Sequence, residues 1–220
     1  MKSQLAKLID STLVKATATK DEIERLCREA IQHGFGCVMV NPVYVGLAAS
    51  LLKGSNVRVG STVGFPFGVS LPDIKALEAV KAVEEGACEL DMVMNLSAFK
   101  SGDYKLVKRD IEAVTAVKRI SSDIIVKVII ETPILTNEEK ITACKIVKEA
   151  GADFVKTSTG LFGKGATVED VKLMRQVVGR DFGVKAAGGI RTYKDAVAMI
   201  EAGANRIGTS TALAIIKGAP

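Results

Sequence analysis

Two lysines and an aspartate set the chemistry this sequence could perform. Lys156 closes the short apolar run FVK, Lys185 closes GVK, and Asp91 follows Glu89 and Leu90 in ELDMVMN. A single charge at the end of an apolar run is ordinarily a solvated loop residue. Three charges at equivalent run ends, two of them lysines among apolar neighbours, read instead as groups gathered into one pocket. A lysine amine in water titrates near ~10.4 and is almost wholly protonated at neutral pH. A second cation close by, together with desolvation, disfavours the ammonium form and brings the amine towards neutrality. The neutral amine can attack an aldehyde or ketone to give an imine, and a carboxylate beside the pair completes a proton relay. That is the equipment an imine-forming aldolase needs.

Groups so far apart in sequence need a scaffold that brings strand ends together. Short β-branched runs alternate with longer amphipathic stretches along the whole chain: Leu8–Asp10, Cys37–Val40, Val57–Val63, Cys88–Met94, Ile124–Ile130, Asp153–Lys156, Phe182–Ala186 and Arg206–Gly208. Between them lie helical patterns such as KDEIERLCREAIQHG, SLPDIKALEAVKAVEEG, TNEEKITACKIVKEAG, TVEDVKLMRQVVG and TYKDAVAMIEAG, several opened by a Ser or Thr cap and closed by Gly. Strand–helix alternation predicts a parallel sheet with helices outside it. Eight such units without a compositional break predict one (β/α)₈ TIM barrel spanning residues 1–220. In that fold the catalytic groups sit where strands end and the following loops begin.

The last two strands carry a different signal. Gly188–Ile190 follows the seventh run, and Ile207–Thr211 (IGTST) ends the eighth. Loops after these strands, with a helix N-terminus, make the phosphate site of many barrels. Glycine lets backbone N–H groups approach an anion closely, and Ser210 adds a hydroxyl. Gly188, Gly189, Gly208 and Ser210 are therefore candidate phosphate contacts, and TSTG (Thr157–Gly160) offers further donors around Gly160.

Other chemistries find little support. His33 is the single histidine and lies near a helix end, so neither a zinc site nor a Ser–His–Asp triad has its partners. The GFG at residues 34–36 follows a helix and is not a dinucleotide fingerprint. The expectation is an enzyme with no metal and no cofactor. With 30 basic and 25 acidic residues, the net charge of +5 is too small and too dispersed for a nucleic-acid binder, and there is no Trp. It suits a small anionic substrate. Cys27, Cys37, Cys88 and Cys144 fall in apolar-periodic segments and read as reduced, buried thiols. The opening MKSQLAKLIDSTLVK lacks a signal peptide's apolar stretch, and no segment approaches a membrane span, so a cytoplasmic location is expected. Two alternatives stand beside the aldolase: a barrel lyase or isomerase whose lysines act only as charges, and a non-catalytic sugar-phosphate sensor.

The blocks DSTL, VNPVYV, VGFPFG, ELDMVMN, KVIIET, FVKTSTG, VKAAGGIRT and RIGTST, taken together, resemble the deoxyribose-phosphate aldolase family almost from end to end. The resemblance implies reversible cleavage of 2-deoxy-D-ribose 5-phosphate into acetaldehyde and D-glyceraldehyde 3-phosphate. It implies that Lys156 forms the imine, Lys185 tunes it, and Asp91 and Lys185 pass protons. It also implies that Gly188, Gly189 and Ser210 meet the phosphate, with Gly160 close by. In this reading Lys185 stays cationic beside the GGIRT loop and helps hold the anion. A homodimer or homotetramer is expected. Three departures stand out: Ser11 replaces a histidine in the first-strand motif, Met39 replaces a cysteine in the second, and the sequence ends KGAP without the tail tyrosine of some members.

Overall fold

The strands form where the short β-branched runs fall. The computed structural model describes residues 2–220, in which eight strands alternate with helices: β1 (Ile9–Leu13), β2 (Cys37–Val40), β3 (Arg58–Val63), β4 (Glu89–Val93), β5 (Ile125–Ile129), β6 (Phe154–Lys156), β7 (Gly183–Ala187) and β8 (Arg206–Thr209). Each pairs in parallel with its sequence neighbour, and β8 closes on β1. This is the closed (β/α)₈ barrel that the alternation predicts. One boundary differs notably. Hydropathy ends the first run at Asp10, whereas β1 continues through Ser11 and Thr12, whose polarity hides their ladder pairing with Val38 and Met39.

The helices begin and end where their caps lie. Thr19, Thr136 and Thr192 each cap a helix, at Lys20–His33, Asn137–Glu149 and Tyr193–Glu201, and each donates its own N–H in return to the acid three positions on. Gly34 stops the first of these with a left-handed φ of 67°. No described helix is long and apolar enough to cross a membrane. All four cysteines are unpaired; Cys27, Cys37 and Cys144 are buried, whereas Cys88 is only partly so.

Strand residues alternate between two environments. Val38, Leu90, Met92, Val126, Val128, Val155, Val184 and Ile207 face outward into one apolar cluster with helix residues such as Ile23, Ile111, Val147 and Val171. The alternate positions face the barrel axis. Barrel interiors are commonly packed with branched apolar side chains. Here Asp10, Glu89, Asp91, Lys127 and Lys185 occupy the interior, all fully buried, with Lys156 almost so. Phe154 fills part of the base, over Gly183, where an added Cβ would lie 2.3 Å from the ring. The Arg206 guanidinium stands 5.8 Å from the centre of that ring.

Candidate active site

Register brings the interior charges side by side. Lys156 of β6 is paired with Lys185 of β7, and Asp91 of β4 with Lys127 of β5. Asp91 is the hub. Its Oδ2 accepts from Lys156 Nζ at 2.7 Å and from Lys185 Nζ at 2.6 Å, and its Oδ1 accepts from Lys127 Nζ at 2.9 Å. Lys185 also donates to Asp10. Arg206 donates to Asp10 Oδ1 at 2.7 Å and lies 3.1 Å from Glu89 Oε2. Glu89 also meets Lys127 at 2.6 Å and Arg58 at 2.8 Å. Asp10, Glu89 and Asp91 thus face a larger set of cations: Lys127, Lys156, Lys185, Arg206 and the half-buried Arg58.

That imbalance shapes the protonation states. Burial works against the Asp91 carboxylate, yet Lys127, Lys156 and Lys185 outweigh it and hold its carboxyl well below the usual range. Lys127 is driven the other way, since Asp91, Glu89 and Asp10 overcome its burial and raise it well above an ordinary lysine. Lys156 is the cation with least support. Burial lowers its pKa, Asp91 opposes, and the charges of Lys185 and Lys127 add to the fall, leaving it at about 8. Burial, rather than the neighbouring cation alone, is the leading cause.

Lys156 opens onto a cavity of about 680 Å³ at the carboxyl ends of the strands, lined also by Thr12, Met39, Thr62, Gly160, Gly188, Gly189, Gly208 and Ser210. All five residues proposed from sequence to meet phosphate therefore reach one space with Lys156. The β6 and β7 loops are bound together at this rim. Thr157 and Ser158 hydroxyls donate to the Ala187 carbonyl at 2.9 and 2.6 Å, and the Ala166 N–H donates to Gly188 O at 3.0 Å. Gly188 has φ 89°, and a Cβ there would lie 2.9 Å from both Gly165 Cα and Ser158 Oγ, so only glycine fits.

Two expectations need correction. Asp91, read as standing at a run end, is the third of the five residues of β4. Lys185 is not at the mouth beside the GGIRT loop. It sits mid-strand in β7, fully buried and absent from the cavity wall, with its amine engaged by Asp10 and Asp91 rather than free for an anion. Gly208 lies in β8, as the eighth apolar run predicts, and besides lining the cavity its missing side chain makes room for Lys185, whose Cε would lie 2.9 Å from a Cβ there. Besides Lys156, the basic side chains that line the cavity are Lys15 and Arg191, neither of which was singled out from the sequence. Of the departures, Ser11 takes the outward-facing position between Asp10 and Thr12 and does not line the cavity, whereas Met39 does.

Lys127, Asp10, Glu89 and Arg206 were not singled out from the sequence. The signal was present: Glu89 stands two residues before Asp91, hence on the same face of one strand, and Lys127 is a lone charge inside IIVKVII. Asp10, Cys37 and Glu89 also lie close enough together to surround a metal ion. Their carboxylates are already taken by Lys127, Lys185 and Arg206, and burial holds the Cys37 thiol well above its usual range, so that cluster is poorly suited to a divalent cation.

Fold and site together define a barrel enzyme of the aldolase class, with a depressed, buried lysine set at the floor of an open cavity. The chain belongs to the DeoC/LacD family of aldolases, whose family model matches residues 5–218. It is 60% identical over 217 residues to a deoxyribose-phosphate aldolase of Thermococcus gammatolerans, covering 98% of this chain and 96% of that one. It is 58% identical over 213 residues to the enzyme of the same name from Thermoanaerobacter sp. (strain X514), covering 97% and 96%. Among solved structures, the tetrameric deoxyribose phosphate aldolase of Aeropyrum pernix superposes with a TM-score of 0.92 at 36% identity, covering 99% of this chain and 91% of that one.

Proposed function

We propose that this chain is a lyase that reversibly cleaves 2-deoxy-D-ribose 5-phosphate to acetaldehyde and D-glyceraldehyde 3-phosphate through an imine on Lys156. The observation that carries the reading is the Lys156 amine at the cavity floor, with a pKa of about 8. At pH 7 roughly a tenth of such an amine is neutral, about two hundred times the fraction of an unperturbed lysine. The neutral amine adds to the C1 aldehyde, and loss of water gives a protonated imine. That cation draws in the electron pair of the C2–C3 bond as the C3 hydroxyl loses its proton, so the three-carbon phosphate leaves as an aldehyde. The two-carbon enamine left on Lys156 is protonated at C2, and hydrolysis frees acetaldehyde and the amine.

Lys185 and Asp91 are the groups we assign to proton traffic, because Lys156 and Lys185 share Asp91 Oδ2. Gly160, Gly188, Gly189, Gly208 and Ser210 are assigned to the phosphate end, with Arg191 supplying charge at its rim; Lys15 stands on the same wall but is paired with Glu22 at 2.6 Å. The tetrameric Aeropyrum pernix relative supports self-association as a dimer or tetramer. Four unpaired cysteines and the lack of a membrane-crossing helix among the described residues support a cytoplasmic location. The direct test is acetaldehyde release from 2-deoxy-D-ribose 5-phosphate. Turnover with no added metal or cofactor is the expected result, and no release at any pH from 6 to 9 would refute the assignment.

A further inference from the structure

One buried acid has no part in the chemistry above. Glu131 follows β5 at the same end of the barrel as the cavity and is fully buried. Among the described residues it is the only non-glycine with a left-handed backbone, at φ 58° and ψ 62°. Its Oε2 accepts the Thr159 N–H at 3.1 Å, while its Oε1 has no hydrogen-bond partner. The backbone on either side is tied to the same segment: the Ile130 N–H donates to Lys156 O at 3.0 Å and the Thr132 N–H to Thr157 O at 2.8 Å.

A residue that only had to turn the chain here would be glycine, which adopts this φ without strain. Glutamate brings a strained conformation and a desolvated carboxyl, raised in pKa by burial, and half of that carboxyl goes without a partner. What it provides is one hydrogen bond, to the amide of Thr159, beside a weaker attraction to the charge of Lys156. Thr159 and Gly160 wall the cavity, and Gly160 abuts Gly188, whose Cα would lie 3.5 Å from a Cβ on Gly160.

We propose that Glu131 is a positioning residue for the phosphate end of the cavity, holding the Thr159–Gly160 wall at a set distance from Lys156 and Gly188. The inference rests on Lys156 being the imine lysine and deepens that reading. Acting through the wall, Glu131 governs how tightly the phosphorylated substrate is held and leaves attack on a small aldehyde untouched. Glutamine can accept the same N–H, so position rather than charge is what counts.

The test compares Glu131→Gln, Glu131→Gly and Glu131→Ala with the parent. Kinetics are measured on 2-deoxyribose 5-phosphate and on unphosphorylated 2-deoxyribose, and acetaldehyde adducts are trapped with borohydride and read by intact mass. The expected loss of a hydrogen-bonded wall raises KM for the phosphorylated substrate about tenfold or more in the Gly and Ala variants. Their kinetics on 2-deoxyribose and their trapping rates stay close to the parent's, and the Gln variant keeps near-parental KM. The Gly variant suits the backbone, so it separates loss of the carboxyl from misfolding. A Gly variant with parental KM, a trapping rate that falls as far as kcat/KM, or a Gln variant as impaired as Gly would each overturn the proposal. Those results leave the imine reading standing; a parent that traps no adduct removes both.

Discussion

Two buried lysines in this molecule meet opposite fates. Lys75, on the outer helix Pro72–Glu84, and Asp110, on the helix Tyr104–Thr115, are both fully buried and joined at 2.7 Å. Lys75 also donates to the Val93 carbonyl at 2.8 Å. Lys156 lies 2.7 Å from Asp91, a bond of the same length. Burial lowers the pKa of both amines. What separates them is company and access. Lys75 shares its carboxylate with no other cation, only with the Asn95 N–H, and is sealed by side chain and backbone, whereas Lys156 shares Asp91 with Lys185 and Lys127 and opens onto the cavity. A depressed amine becomes a nucleophile only where cations outnumber the acids that would hold its proton and where a carbonyl can reach it.

Removing each lysine in turn should split chemistry from stability. Lys156→Ala is expected to lower kcat on 2-deoxyribose 5-phosphate by on the order of a thousandfold or more. Its stability should be unchanged or slightly higher, since a cation leaves an over-cationic cluster. Lys75→Met should cost about 3–5 kcal/mol in denaturant unfolding by stranding Asp110, with kcat per folded molecule nearly unchanged. The double variant Lys75→Met/Asp110→Leu should recover much of that stability. An active-site defect in Lys75→Met would erase the distinction between the two pairs.

The same contrast between charge and position applies at the phosphate end. A hydrogen bond to a charged group contributes roughly 1.5–3 kcal/mol, so Ser210→Ala should weaken use of the phosphorylated substrate about ten- to a hundredfold. Unphosphorylated 2-deoxyribose should be little affected, and equal losses on both would remove Ser210 from the phosphate site.

The smallest expected effect is the most specific to the cation excess. Lys127 lowers the pKa of Lys156 and does not line the cavity. Lys127→Met removes a positive charge, so protonation of Lys156 becomes easier and its pKa moves above about 8. Less free amine is then present at pH 7, and the rise of kcat/KM with pH shifts to higher pH, with the rate largely restored near pH 9. A shift of one unit corresponds to about 1.36 kcal/mol. A profile displaced to lower pH would contradict the charge balance described here.

How much of this was legible in the sequence follows from what each signal measures. The barrel was legible because burial on both faces turns each parallel strand into a β-branched run, and Thr caps with acids three positions on mark the helices. Lys156 and the glycine loops were legible because charges and glycines at run ends interrupt that pattern. Lys127, Asp10, Glu89 and Arg206 were not, because hydropathy treats a charge within or at the foot of an apolar strand as noise, although period-two alternation puts Glu89 on the face of Asp91. Asp91 and Lys185 were identified but misplaced: run length could not tell a strand's last residue from its middle, and β4 continues through Val93 and β7 through Ala187. Glu131 escaped altogether, since a left-handed glutamate leaves no trace in composition or periodicity.

The central claim is that Lys156, and not Lys185 or Lys127, carries the covalent intermediate. Acetaldehyde and borohydride added to the parent, followed by peptide mass mapping, measure this directly. The account predicts a single reduced two-carbon adduct on Lys156, lost in Lys156→Ala and slowed at neutral pH but partly restored at higher pH in Lys185→Ala. An adduct mapped to Lys185 or Lys127, or none on the parent, would contradict it.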